Sequence, residues 1–596
     1  MVQPIQRHPH RPRRPHAVRV WLSTALAALI LAACGGGSNE PPANNDQPNT
    51  DAGLQPQTAA DVVATKAEAA RFLTQATYGP NMAAIDELKD IGYGNWLRRQ
   101  FAKPTIDTHW DYVARKGPLG CVTCDSQYIN ATMESFWLQA LQGPDQLRQR
   151  MVFALSELFV VSTVNSAVSI QPDAHAAYLD MLARNAFGNF RQLMEDVARH
   201  PTMGLYLSHL RNDKEDTATG RNPDENFARE LMQLFTIGLW ELDDDGQRKH
   251  DAAGKDIPTY QLADVMGLAR VFTGLSWAGK DASDQSDGAW YGWQGSPWNK
   301  PMQMFPKHHS VGEKAFLKTT IAATQGAMTQ ALADAELKKA LDVLFNHPNV
   351  PAFIGKQLIK RFVTSNPSPA YVRRVSQAFK NNGLGVRGDM QAVMRAVLMD
   401  PEARDPVKAT EASWGKVREP MIRYANYLRA FGTASSTGKY RIWNLEDPVY
   451  NIGQNPLRAP SVFNWFQPDY VPNWEDPKST LVAPELQITN ETTVTGYANY
   501  MANLVQRTTD RFTNNNVDAL VSNYSEEIAL ANTPDKLLDR LNLLLMEGRM
   551  SDATRAQVKG ALDKITAKVW VLPKEEVRVH MAIFLLMTSP EYLVQK

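Results

Sequence analysis

NPDENFARELMQLFTIG, from Asn222 to Gly238, is the stretch whose reading decides the fold class. Asn222 can accept from an unpaired N–H as an N-cap, Pro223 suits the first helical position, and Glu225 falls where the carboxylate of a capping box belongs. The expectation is an amphipathic helix opening at Asn222. On a helical projection Phe227, Ala228, Leu231, Met232, Leu234 and Phe235 gather in one arc, while Asn226, Arg229, Glu230 and Gln233 gather in the opposite one. The apolar arc is a core face. The polar stripe is either an ordinary solvated face or the wall of a functional cleft.

Outward from that stretch, helical periodicity recurs. Lys66 to Ala76, Met82 to Ile91, Tyr93 to Ala102, Ala131 to Leu141, Gln146 to Val160 and Phe190 to His200 all read as helices, punctuated by Gly, Pro or Asp. Strand alternation is scarce except between Glu241 and Pro258, where turn residues at Asp244-Asp245-Gly246 and Ala253-Gly254 suggest a small hairpin. The expected fold is therefore mainly α, a large multi-helix assembly with long loops and a small β-hairpin near 241–258. A calcium loop at Asp243-Asp244-Asp245-Gly246 lacks the terminal Glu that such a loop needs, so a plain turn is expected there. Gly383 to Gly388 matches G-x-G-x-x-G but follows a helical segment, and Gly274 to Lys280 is followed by Asp281 where a phosphate loop needs Ser or Thr. No motif calls for a cofactor.

The start of the chain carries an address. Arg7, Arg11, Arg13, Arg14 and Arg19 form a positive segment, and Trp21 to Ala33 is an apolar run too short to span a bilayer. It ends in Leu31-Ala32-Ala33-Cys34, the pattern of a bacterial lipobox, so residues 1–33 read as a lipoprotein signal and Cys34 as the lipidated residue. Residues 34–65 are rich in Gly, Pro, Asn, Asp and Gln and read as a disordered tether, and 66–596 as a single large helical domain. Gly35 after the cysteine is typical of lipoproteins sent to the outer membrane. The formal charge of the 596-residue chain is zero, but without the five leader arginines it has 58 basic against 63 acidic residues. That balance argues against a nucleic-acid partner. The remaining cysteines, Cys121 and Cys124, read as a local disulfide in an oxidising compartment rather than a redox or zinc motif.

Candidate chemistry falls in three places. If the polar stripe lines a cleft, Asn226, Arg229, Glu230 and Gln233 are its working residues, with Arg270 a candidate partner of Glu230; a Glu beside an Arg stays ionised and serves as a ligand-orienting or structural carboxylate rather than a general acid, and the plainer reading is a buried Glu–Arg bridge tying two helices together. Lys307-His308-His309 is the one histidine cluster after the leader, and His309 with Lys314 could serve acid–base, metal or anion chemistry, or be a hydrogen-bonded structural group. The loop from Trp277 to Phe305 holds Trp277, Trp290, Trp293 and Trp298 among small polar residues. Flat aromatic faces beside polar groups suit sugar rings, and they equally suit anchoring a loop to a helical body.

Further blocks line up along the chain: ARFLTQATYGP from Ala70, RQRMVFALSELFVVS from Arg148, FRQLMEDVARHPTMGLYLSHL from Phe190, DVMGLARVFTGLSW from Asp264, HHSVGEKAFL from His308, HPNVPAFIGKQLIKRFV from His347, GKVREPMIR from Gly415 and APSVFNWFQPDYVP from Ala459. With the central stretch, they resemble the bacterial family called domain of unknown function 1800. The resemblance implies a helix-rich, usually exported protein, frequently encoded beside an exported family that looks like sulfatases or alkaline phosphatases. It carries over no catalytic residues, and the position often held by His in the family's central motif is Phe235 here. The expected function is that of an accessory or scaffold lipoprotein acting with an exported sulfatase-like partner, with surface glycan as its candidate ligand. The alternative is a hydrolase of envelope glycans or esters with Glu230 and His309 as reacting groups.

Overall fold

Helix starts follow local rules. Thr65 Oγ1 accepts from Glu68 N at 3.1 Å to open Lys66–Ala76, and Asn81 Oδ1 accepts from Ala84 N at 2.9 Å to open Met82–Ala102, each such cap contributing about 1 kcal/mol. Gly92, at φ +78°, breaks the second helix where the periodicity restarts at Tyr93. The computed structural model describes residues 58–116, 130–169, 171–292, 297–473, 476, 478–507 and 519–596. Cys34, Cys121, Cys124 and Trp293 lie outside them, as do the leader and the tether as far as residue 57. Among the described residues, 23 α-helices stand against four two-stranded antiparallel sheets, so the chain is mainly α.

Leu73, Leu155, Phe235, Leu358, Val393, Leu541 and Ile583 all belong to one apolar core, so helices from the start, middle and end of the chain bury their faces against each other. The C-terminus closes the body. Val594–Gln595 pairs antiparallel with Lys416–Val417, and Arg71 Nε donates to Lys596 O at 3.2 Å. That pairing fixes the backbone of the Lys416 to Glu419 block, which carries much of the buried charge described below.

Three expectations need adjustment. Residues 58–65 are part of the folded body rather than the tether: Ala59–Asp61 forms a 3-10 turn, and Val63, 3% exposed, joins the core. The central helix opens at Asn226, not at Asn222. Asn212 is the reason, because its side chain donates to Asp224 O at 3.0 Å and accepts from Asp224 N at 2.8 Å, which holds the Asn222–Glu225 backbone off the helical path. Asp224 Oδ1 then accepts from Asn226 N at 2.8 Å, satisfying a donor at the helix start. From Leu231 to Thr236 the chain widens into a π-helical turn, in which Ile237 N donates to Met232 O at 3.0 Å. A wider turn rotates less per residue, so the projected faces drift apart. The stretch also packs on two sides, against the Leu262–Val271 and Asn349–Phe362 helices. Leu234 is therefore only half-buried, and Glu230 is buried.

The hairpin region near 241–258 has both expected turns, built as single bridges rather than a continuous ladder. Leu242 pairs with Arg248, His250 with Asp256 and Trp240 with Pro258. Gly246 and Gly254 take φ +75° and +79° at the two turns, a conformation glycine adopts without strain. Asp245 Oδ2 accepts from Arg373 Nη2 at 2.7 Å and Asp244 pairs with Lys380, so the acidic run is a turn tied to the Pro369–Lys380 helix.

Candidate functional site

The polar residues of the central stretch do not share one wall. Asn226 is exposed and reaches Ser208 Oγ at 3.4 Å, Arg229 pairs with Glu225 at 3.0 Å, and Gln233 Oε1 accepts from Tyr260 Oη at 3.1 Å. Glu230 is 6% exposed, and its Oε2 has no hydrogen-bond partner among the described residues. Arg270 is not its partner, since Arg270 Nη1 donates to Glu313 O at 2.8 Å. Desolvation raises the Glu230 carboxyl above its ordinary value, with Arg229 only partly opposing it, a shift in the opposite direction to the one a close arginine partner would give.

The two adjacent histidines face different partners. His308 stacks face to face on Trp290 at 3.7 Å and places Nδ1 3.2 Å from Asp213. His309 is fully buried, with Nδ1 at 2.7 Å from Thr273 O and Nε2 at 3.0 Å from Glu336 Oε2. Glu336 also takes the buried Lys314 ammonium at 2.8 Å, a partner that the sequence analysis missed. His309 is thus held between a carbonyl and a carboxylate that serve the packing of its loop, and Glu230 is not among its partners.

A dense buried ionic junction forms elsewhere. Arg361 Nη1 donates to Glu157 Oε2 at 3.0 Å and its Nη2 to Glu157 O at 3.1 Å. Asn464 Nδ2 donates to Glu157 Oε1 at 3.2 Å, and Gln454 Nε2 to Glu419 Oε2 at 2.9 Å. Lys416 Nζ lies 3.0 Å from Glu485 and 3.5 Å from Glu419, and Arg150 Nη2 donates to Arg361 O at 2.6 Å. The Glu157 and Glu419 carboxyls are electrostatically coupled, each acting on the proton affinity of the other. Burial, then the Glu419 charge, pushes Glu157 well above the carboxylate range; desolvation also lifts Glu419, but Lys416 and Arg150 outweigh it and hold Glu419 below that range. Of the two, Glu157 is the one whose surroundings favour the protonated form. This junction gathers residues from four blocks of the family resemblance: Arg150 and Glu157, Arg361, Lys416 and Glu419, and Asn464. Such a network joins distant segments in one register.

Two cavities flank these features. One, of about 340 Å³, lies between the 233–248 segment, the Asn349–Phe362 helix and residues 463–469; Trp240, Phe353 and Phe463 line it together with Lys356 and Lys360. Gln233 is the one stripe residue on its wall. The second, of about 570 Å³, is an aromatic groove in which Trp110, Trp277, Tyr291 and Trp298 stand beside Gln171, Asp173, Arg211 and Asn299. Trp277 and Trp298 meet edge to face at 4.8 Å, which fixes the angle between two ring faces. Trp290 is 4% exposed, packs on Phe305 and His308, and does not line the groove. Trp110 was not foreseen; it is far in sequence from the other rings, and nothing local marks it.

Comparison with curated proteins and with solved structures gives no match. A family model described as a protein of unknown function, DUF1800, matches residues 71–594, a span that takes in all four sheets but the last residue of one and nearly every helix. The chain thus belongs to the DUF1800 family.

Proposed function

We propose that this chain is a lipid-anchored cell-envelope protein that binds carbohydrate as an accessory to an exported partner rather than cleaving it. The observation that carries the reading is the groove of Trp110, Trp277, Tyr291 and Trp298 with polar groups along its rim. Sugar rings stack their C–H faces on such side chains while hydroxyls bond to the rim, here Asp173, Gln171, Arg211 and Asn299. At about 570 Å³ the groove has room for more than one sugar unit. The hydrolase alternative loses support because Glu230 and His309 have separate surroundings. Lipidation at Cys34, outer-membrane placement and a sulfatase-like partner rest on the leader and on the family resemblance.

A glycan array probed with the purified protein tests this directly. Trp298→Ala and Trp110→Ala are expected to weaken the best glycan by about tenfold each, the loss of one stacking platform, while Trp443→Ala, outside the groove, leaves it unchanged. No glycan bound by the wild type, or equal binding by all three variants, would refute the reading. Palmitate labelling that marks wild type and Cys34→Ala alike would remove the anchor.

A further inference from the structure

We infer that the 340 Å³ cavity is a binding site for a small organic anion, its acidic group seated between Lys356 and Lys360 and its ring lying on Trp240, Phe353 and Phe463. The two lysines sit one helical turn apart on Asn349–Phe362, so their side chains project to the same face. Lys360 Nζ donates to Pro468 O at 2.6 Å and Lys356 Nζ to Gly246 O at 3.2 Å, and neither ammonium has a carboxylate within ion-pair distance among the described residues. Some buried cations of the molecule sit on carboxylates, Arg361 on Glu157, Lys416 on Glu419 and Glu485, Lys314 on Glu336 and Arg418 on Glu547, while Arg71 and Arg429 meet backbone carbonyls; neither of those two lines this cavity. Two cations turned into a mostly apolar cavity without a counter-ion are the arrangement an anionic ligand completes, because the ligand's charge repays their desolvation.

The other charges facing the cavity do not fill that role. Arg248 lies over the Trp240 ring at 5.6 Å and pairs with Asp256. Asp245 is taken by Arg373, and Glu485 by Lys416. Asp469 stands at the mouth, exposed, and acts on both lysines only at longer range. Desolvation, then the neighbouring Lys356, lowers Lys360 to about 7, the response of a cation lacking a close counter-charge. The volume suits one ring with its acidic substituent. A carboxylate, a sulfate ester and a phosphate ester share this chemistry. The inference stands independently of the aromatic groove, with which the cavity shares no lining residue.

Calorimetric titration of the full mature protein with benzoate, phenyl phosphate and 4-nitrophenyl sulfate, against neutral benzamide, tests it and separates the three acid types. At least one acid is expected to bind saturably and at least about tenfold more tightly than benzamide. Lys360→Met and Lys356→Met should each lose about tenfold in affinity, and Lys360→Arg should stay within about threefold of wild type. Binding of the acid should weaken as pH rises above 7, where Lys360 gives up its proton. If a methionine variant does not fold, Phe463→Ala, at a residue 45% exposed, supplies the second reading: weaker binding of the aromatic acid. Benzamide binding as tightly as the acids, methionine variants or Phe463→Ala matching wild type, or no saturable binding of any acid up to about 10 mM would overturn the inference.

Discussion

Glu157→Gln and Glu419→Gln are chemically the same change at two coupled carboxyls, and the junction predicts that they behave very differently. Burial and the Glu419 charge favour a protonated Glu157, so a glutamine there is expected to keep its charge and shape, with a loss under about 1 kcal/mol, the scale of one altered hydrogen bond. Glu419 is the ionised member, and glutamine there strips the carboxylate that faces the buried Lys416 ammonium at 3.5 Å. Removing one partner of a buried ion pair costs about 3–5 kcal/mol. With unfolding entropy of about 2.1 cal/mol/K per residue, the unit from Gln55 to Lys596 carries about 1.1 kcal/mol/K, so the expected fall in Tm is about 3–4 °C for Glu419→Gln and under about 1 °C for Glu157→Gln. Differential scanning calorimetry at pH 7 measures both. A pH series adds a signed test. Glu157 has a folded value raised above its ordinary 4.5, so its contribution to stability is full below that value and is lost as pH rises toward the raised one. Glu157→Gln, which does not titrate, should therefore gain on wild type as pH increases. Glu419 is shifted the other way, so its contribution is present above the ordinary value and fades as pH falls through the lowered one, and the Glu419→Gln deficit should shrink in acid. Equal Tm losses at pH 7, or a Glu157→Gln curve parallel to wild type throughout, would show that the proton is not held on Glu157.

Two further predictions concern packing. Gly267 faces the Lys314–Phe316 strand so closely that a Cβ would lie 1.8 Å from Ala315 O, a backbone atom that cannot rotate away; Gly267→Ala should cost about 3 kcal/mol, the upper end for overpacking, and an unchanged Tm would mean that helix and strand can separate freely. Glu336→Ala should cost about 3–5 kcal/mol although Glu336 is partly at the surface, because it leaves the buried His309 and Lys314 without their shared carboxylate; a loss typical of a surface substitution, within about 0.5 kcal/mol, would show that those two groups do not depend on it.

Helix positions were legible because their causes are local. Thr65, Asn81 and Gly92 act within four residues of themselves, and the chain obeys them. The central stretch broke the rule at both ends for reasons that are not local: Asn212, ten residues upstream of Asn222, reorganises its approach, and tight packing on two sides accompanies the π-helical turn at Leu231. An amphipathic projection supposes one buried side, so it could not place Glu230, on the polar arc, in the buried interior where the structure has it. The tryptophan loop was read as either a set of sugar-stacking faces or a loop anchor, and Trp290 and Trp298, which look alike in sequence, part company in space, one buried on His308 and one lining a groove.

The ionic junction shows what kind of sequence signal was there to be used. Its pairs are separated by up to 307 residues, so no periodicity or spacing can join them. What the sequence does contain is charge inside an apolar run: Glu157 alone within VFALSELFVV, and Lys360 and Arg361 side by side within LIKRFV. Acidic and basic side chains are almost never fully buried unless paired, so a charge that the surrounding run must carry into the core implies an opposite charge arriving from elsewhere. Applied to this chain, that rule marks Glu157 and Arg361 and also Lys360, whose neighbours Leu358, Ile359 and Phe362 are all fully buried. For Glu157 and Arg361 the required partners exist within the fold. For Lys360 the fold supplies only a carbonyl, and the same reasoning that explains the junction leaves the counter-charge of that cavity to come from a ligand.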